Sequence, residues 1–338
     1  VPVPAGQKTW YVGAPPLDEP AQYGDFAVVT DVLAGMAVPP DFSSGVPPRW
    51  THRRDGETEI YFVANPEGRM VDTTALFRVS GKRPELWDPI TGTTRGLTGS
   101  AEKDGRTSVA LRFEPFQSFF IVFRDAAPPA SDAVPAPSPA SAARPDFPVP
   151  EEIASLEGPW EVAFDPKGGG PEKISLEVLD DWRSRPEDGI KYYSGQAVYR
   201  KTFDLLPADS PESGRLWLDL GSVKNIAAVR LNGRDLGVVW CDPWRVEITG
   251  AIKPRGNRLE IRVANLWPNR LIGDEREPPD AEYARGGNLA RWPDWLLKGE
   301  PRPSAGRLTF STWKHYDKDS PLLPSGLLGP VKIMGHSF

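Results

Sequence analysis

The stretch Leu216–Gly233 reads LWLDLGSVKNIAAVRLNG, and it decides the fold. Leu216, Leu218 and Leu220 fall on one face of an extended chain, because side chains alternate along a strand. Ala227, Val229 and Leu231 repeat the alternation, and Asn232-Gly233 then supplies the residues that a tight hairpin turn demands. Working outward, Val246 with Ile248 and Leu259-Ile261-Val263, the latter with Glu260 and Arg262 facing out, continue the half-buried pattern. Gly256-Asn257 marks the turn between them. No helical run of convincing length interrupts this region, so it reads as a β-sandwich.

A second β-rich region lies upstream. Ile60–Ala64 is β-branched and aromatic, and it closes on the turn Asn65-Pro66-Glu67-Gly68. Ala75–Val79, Pro84–Pro89, Val109–Phe113 and Ser118–Phe123 come next at strand-and-turn spacing, which predicts a small antiparallel β-domain. Between the two regions, 19 of the 25 residues from Ala126 to Pro150 are Ala, Pro or Ser. Such a stretch buries too little apolar surface to offset its ordering entropy and is expected to be a semi-extended linker. Limited proteolysis is accordingly expected to cut between Ala126 and Pro150 and leave two protected fragments. Asp25–Met36 is the one plausible short helix and reads as the end of a preceding domain. The expected division is therefore 1–45 as that remnant, 46–125 as the β-domain, 126–150 as linker and 151–338 as the sandwich.

Composition narrows the function. The chain has 338 residues, with 32 Gly and 38 Pro, 12 Trp and 3 Met, a balance that opposes a helical bundle. A formal charge of −6 gives no pull toward nucleic acid or an anionic membrane. No apolar run approaches the roughly 20 residues that span a bilayer. One cysteine, Cys241, precludes an internal disulfide and is expected to behave as a small buried hydrophobe. Three scattered histidines form no HExxH-type site, and neither a GxSxG elbow nor a P-loop is present. Val1-Pro2-Val3-Pro4 carries neither a start methionine nor a signal peptide, so a chain cut from a longer one is expected.

Two segments carry candidate chemistry. Trp240–Arg245 (WCDPWR) and Asn265–Glu275 (NLWPNRLIGDE) each come after a strand and set Trp beside Arg, Asn and Asp. An aromatic platform with planar hydrogen-bonding side chains matches the apolar face and hydroxyl rim of a sugar ring. The candidate sugar-binding residues are Trp240, Asp242, Trp244, Arg245, Asn265, Trp267, Asn269, Arg270, Asp274 and Glu275. Trp267 and Arg270 are expected to contribute most, if both loops meet at one end of the sandwich. The blander alternative buries the tryptophans at corners and pairs Arg270 with Asp274. The run Asp274-Glu275-Arg276-Glu277 is expected to be a solvated loop rim.

Several motifs carry a resemblance. Gly158-Pro159-Trp160-Glu161-Val162, Tyr193-Ser194-Gly195, Tyr199–Phe203, Leu218–Gly221, Ala228–Gly233 and Asn265–Asp274 together resemble the galactose-binding-like jelly roll of family 2 glycoside hydrolases. The closing stretch Ser320–Val331 resembles large bacterial α-L-rhamnosidases of glycoside hydrolase family 106, where the jelly roll is C-terminal. Thr51–Arg54, Glu59–Asn65 and Glu85–Pro89 resemble the β-domain that precedes it there. The resemblance implies an all-β chain, a small antiparallel β-domain followed by a jelly-roll β-sandwich. It further implies a periplasmic or extracellular bacterial setting and carbohydrate as partner. In that family the catalytic glutamates and a rhamnose-binding calcium sit in an N-terminal (β/α)8 barrel, which needs about 250 residues. No catalytic residue is therefore carried over, and the missing barrel is an expected partner. No cofactor is required by this reading, which leaves room for a structural calcium. Three readings are open: an ancillary portion of such a glycosidase, a stand-alone carbohydrate-binding protein, or a structural module packed on a barrel.

Overall fold

The computed structural model describes residues 27–46, 48–125, 146–205 and 214–335. The helix foreseen at Asp25–Met36 runs over Ala27–Gly35 and buries none of its residues; Asp25 and Phe26 lie outside the described residues.

The β-domain is two antiparallel sheets. One has four strands in the spatial order Phe42–Ser44, Val71–Phe77, Arg106–Phe113 and Ser100–Lys103. The other has five, in the order Arg49–Asp55, Thr58–Ala64, Ser118–Arg124, Arg83–Trp87 and Thr94–Gly96. Alternate residues of the central strands turn inward, and Tyr61, Phe77, Phe113, Phe119 and Phe123 fill the interior. Phe42 belongs to that core, so the domain begins before the expected residue 46. Its strand pairs in register with Val71–Phe77, Phe42 opposite Phe77.

The end of the expected linker is packed down. The Asp146 carboxylate accepts hydrogen bonds from the backbone N–H of Thr98 and Gly99, the latter at 2.6 Å. Phe147 lies 5.9 Å from the Phe119 ring and under the Arg95 guanidinium. An acceptor for orphan backbone donors and a ring for an apolar neighbour supply the contacts that composition could not reveal. Residues 126–145 of that expected linker lie outside the described residues.

The second domain is the sandwich. A six-stranded sheet has the order Ile174–Leu176, Trp160–Phe164, Gln196–Phe203, Asn257–Ala264, Ile226–Leu231 and Arg234–Val239. Facing it are Glu151–Ser155, Lys332–Gly335, Leu216–Asp219 and Arg245–Glu247, with a short pair, Ser222–Lys224 and Gly326–Gly329, alongside. The last strand lies between the first strand and Leu216–Asp219, so the two ends of this domain are held together. All strand pairs are antiparallel.

The inward leucines and valines named from the alternation form one core with Trp160, Tyr199 and Ile333. Each such aliphatic side chain contributes roughly 1.5–3 kcal/mol by burial. The Tyr199 hydroxyl satisfies two buried donors, Trp182 Nε1 at 2.7 Å and the Leu327 backbone N–H at 3.1 Å. Asn232 and Gly233 take φ values of 54° and 84°, the left-handed pair that joins two strands in a two-residue hairpin. Three short helices, Asp188–Lys191, Pro268–Asp274 and Asp294–Lys298, decorate the sandwich; the second falls where a loop was expected.

Gly221 is required twice over. Its φ is 66°, and a Cβ there would sit 2.3 Å from the Gly329 carbonyl carbon. Gly221→Ala should therefore lose roughly 2 kcal/mol or more, and Leu218→Ala about 3 kcal/mol. Urea denaturation checks both, and a parent-like midpoint for either would contradict the packing described. In proteolysis, bonds within Asp146–Pro150 should resist cleavage while those cut first lie before Asp146.

Candidate functional site

Strand register places both candidate loops. Asn257–Ala264 and Arg234–Val239 flank Ile226–Leu231, with Ile226 opposite Ala264 and Ala227 opposite Val239. The loops that leave Ala264 and Val239 thus emerge at the same end of the sheet, two strand spacings or about 10 Å apart. They turn to different neighbours.

The first loop faces the β-domain. Arg245 is wedged between carboxylates of both domains, 2.8 Å from Glu114 and 2.8 Å from Asp219. Burial alone would depress its pKa, but the two carboxylates outweigh that and hold it above the ordinary arginine value. Trp244 is buried, in line with the blander alternative. Trp240 is 59 % exposed. Asp242 is half-buried, and desolvation raises its carboxyl above the usual range. Cys241 is also half-buried rather than fully so, with its thiol pushed up by burial and by Asp242 and Asp88.

The second loop becomes the helix Pro268–Asp274, and its polar side chains mostly hold it in place. Asn265 Oδ1 accepts from the Gly195 N–H at 2.9 Å, and its Nδ2 donates to the Tyr193 carbonyl and to Ser325 Oγ. Asn269 is buried, donating to the Leu323 carbonyl at 2.8 Å and accepting from the Leu323 N–H at 2.8 Å. Arg270 Nε lies 2.9 Å from Asp274 Oδ1, with both side chains buried; the pair is an ion contact without hydrogen-bond alignment. Asp274 in turn accepts from the Thr309 N–H at 2.7 Å and from its hydroxyl. Glu275 pairs with Arg307 and Lys314, each at 2.9 Å. The acidic run is therefore no solvated rim over Asp274 and Glu275, because partners more than thirty residues away supply their donors. Asn269 and Asp274 spend their polar atoms inside the protein and Arg270 is buried against Asp274, the placement of the blander alternative.

What remains outside is aromatic. Trp267 is 65 % exposed and has helical backbone angles. It therefore shares a helical face with Leu271 and Glu275, at spacings of four residues. Leu271 and Glu275 line a small recess with Trp313, Lys314, His315 and Tyr316. Its volume of about 20 Å³ holds one water, so beside the Trp267 helix the surface forms a shallow rim rather than a pocket. Sequence reasoning missed Trp313–Tyr316, although aromatic and basic residues are dense there. It also assigned no role to Ser194 or Ser325. The Ser194 hydroxyl donates to the Leu266 carbonyl and accepts from the Arg270 N–H, fixing the first turn of the helix. Among the described residues, no group of three His, Cys, Asp or Glu side chains converges to hold a metal ion.

Removing one partner of a buried ion pair strands the other, so Asp274→Ala should cost about 3 kcal/mol. Trp267→Ala should cost no more than about 0.5 kcal/mol, as exposed positions do. Guanidinium denaturation separates them; equal losses would mean that Trp267 is structural after all.

Two segments match known families. Residues 22–99 match the glycoside hydrolase family 106 profile, described as α-L-rhamnosidase. Residues 181–303 match the profile described as glycosyl hydrolase 2 galactose-binding domain-like. A solved rhamnosidase from Novosphingobium sp. PP1Y is 36% identical, covers 91% of this chain at a TM-score of 0.70, and is itself covered over 26% of its length. A Formosa agariphila protein named "Putative beta-glucuronidase" is 47% identical over 185 residues, which are 55% of this chain and 16% of that protein. The chain thus spans about a quarter of the one and a sixth of the other. It resembles the family 106 rhamnosidases, and its second domain is of the galactose-binding-like type.

Proposed function

We propose that this chain is an ancillary, non-catalytic C-terminal portion of an α-L-rhamnosidase-like glycoside hydrolase, and that it handles carbohydrate through the rim around Trp267. The observation that carries the reading is the likeness to the Novosphingobium rhamnosidase over 91% of this chain but only 26% of that one. A part that aligns nearly end to end with a fraction of a glycosidase is a module of such an enzyme. Glycoside hydrolysis needs two carboxylates held across the scissile bond. Here Asp274, Glu275 and Asp280 are each paired with an arginine, which commits them to holding segments of the chain together. The carboxylates that cleave would belong to a barrel outside these residues. The rim around Trp267 would then face that barrel and steady the substrate's sugar rings by stacking.

The same reading bears on setting and cofactors. No helix among the described residues is long and apolar enough to cross a membrane, and a periplasmic or extracellular bacterial setting suits a glycan-degrading enzyme. The chain's own residues need no cofactor for stacking and hydrogen bonding. A purely structural role for the helix Pro268–Asp274 has support in the buried Arg270–Asp274 pair, but it leaves Trp267 unexplained.

The chain alone should release no aglycone from an aryl α-L-rhamnoside, and it should bind free sugar weakly, with a Kd near millimolar, about 4 kcal/mol at standard state. Trp267→Ala should remove the part of that binding that the rim contributes, without moving the melting temperature. Turnover that survives rigorous purification and disappears with a single Asp→Asn or Glu→Gln change would overturn the non-catalytic assignment.

A further inference from the structure

A cleft of about 600 Å³ lies between the two domains and shares no lining residue with the recess beside the Trp267 helix. Its jelly-roll wall is Trp240, Cys241 and Asp242, and its β-domain wall includes Asp88, Ile90 and Arg95. That volume falls within the range of small-molecule sites, which also favour domain interfaces. The indole of Trp240 is more than half exposed on one wall.

Two of the arginines around it are already paired. Arg245 is held by Glu114 and Asp219, and Arg112 pairs with Asp72 at 2.6 Å. Arg95 lies 5.1 Å from the centre of the Phe147 ring, where desolvation lowers its pKa despite the nearby Asp146 and Asp88. Asp88 accepts from the Ile90 N–H at 2.8 Å within its own turn. An anionic ligand would face the Asp88 and Asp242 carboxylates beside the single Arg95 guanidinium and would lose hydration on entry. A ligand with an apolar face and many hydroxyls would stack on Trp240 and exchange hydrogen bonds with groups that keep spare lone pairs and N–H donors.

We propose that this interdomain cleft is a second carbohydrate-binding site, selective for neutral saccharides, with Trp240 as its stacking platform. Its location rests on the cleft alone, while the choice of saccharide rests on the proposed function. The Arg245 bridge to Glu114 and Asp219 is its positioning element, since it ties the two walls together.

Cys241, the chain's sole cysteine, lies in the wall and serves as the probe. Its thiol is held high by burial and neighbouring carboxylates, so alkylation by iodoacetamide would be monitored at mildly alkaline pH. L-rhamnose or short neutral oligosaccharides at about ten times their Kd should slow alkylation about tenfold, since only the unoccupied fraction reacts; glucuronic acid should slow it less. Trp240→Ala should remove the protection with the melting temperature unchanged, and Arg95→Gln on the opposite wall should weaken it. Trp267→Ala should leave it intact, which separates failure of this site from failure of the rim. The proposal is overturned if no saccharide protects Cys241, if protection survives Trp240→Ala, if glucuronic acid protects better than neutral sugars, or if Trp267→Ala removes protection.

Discussion

Each sheet of the second domain has one apolar face, and each can bury it only against the other. Leu216, Leu218, Val246 and Ile333 on one sheet meet Val162, Tyr199, Val229 and Ile261 on the other, at the roughly 10 Å spacing that two interdigitated layers of side chains impose. With the strands committed to this core, the connecting segments are driven to the ends of the sandwich. Binding groups can be placed there without disturbing the packing. The central strand Asn257–Ala264 delivers Trp267, and the edge strand Arg234–Val239 delivers Trp240.

The charged groups near these ends act as geometry rather than as chemistry. Arg245, Arg270, Arg302 and Arg307 each face a carboxylate from another part of the chain or from one helical turn away. A buried pair of this kind adds little net stability over an apolar substitute, yet breaking it is costly. Its effect is to allow one arrangement of the segments that carry it. Arg245 fixes how the β-domain meets the sandwich, and so sets the width of the cleft. Arg270 with Asp274 fixes a helix of only seven residues, too short to be stable by its own hydrogen bonds.

The sandwich was legible in the sequence wherever one face is buried and the other is wet. Leu216–Gly233 and Leu259–Val263 alternate for that reason, and Asn232-Gly233 states its turn in backbone terms. Phe42-Ser43-Ser44 did not read as a strand, because three residues with one apolar member carry no period. Asp274 and Glu275 read as solvated because charge density is a local property, whereas their burial depends on Thr309, Arg307 and Lys314. The same blindness hid the anchoring of Asp146, whose partners at Thr98 and Gly99 are nearly fifty residues away. Trp240 and Trp267 stood out in the sequence because aromatic, amide and guanidinium side chains occur together in their short segments. Which of their neighbours would stay free to bind was decided by tertiary contacts that no spacing encodes.

For the proposed carbohydrate sites that rigidity would be consequential, because such ligands are weak. A sugar ring has little apolar area to bury, and every rotamer that must be frozen to receive it subtracts from a small gain. An indole has two side-chain torsions, and its backbone here is fixed, in one case by a helix clamped through Ser194 and Ser325, in the other by a strand end beside the Arg245 bridge. The flexible polar residues of both segments, Asn265, Asn269, Arg270 and Arg245, are already ordered by internal partners before any ligand arrives. The entropy of ordering the surface is thus lost on folding, where a large core offsets it, and not on binding, where a single stacked ring could not.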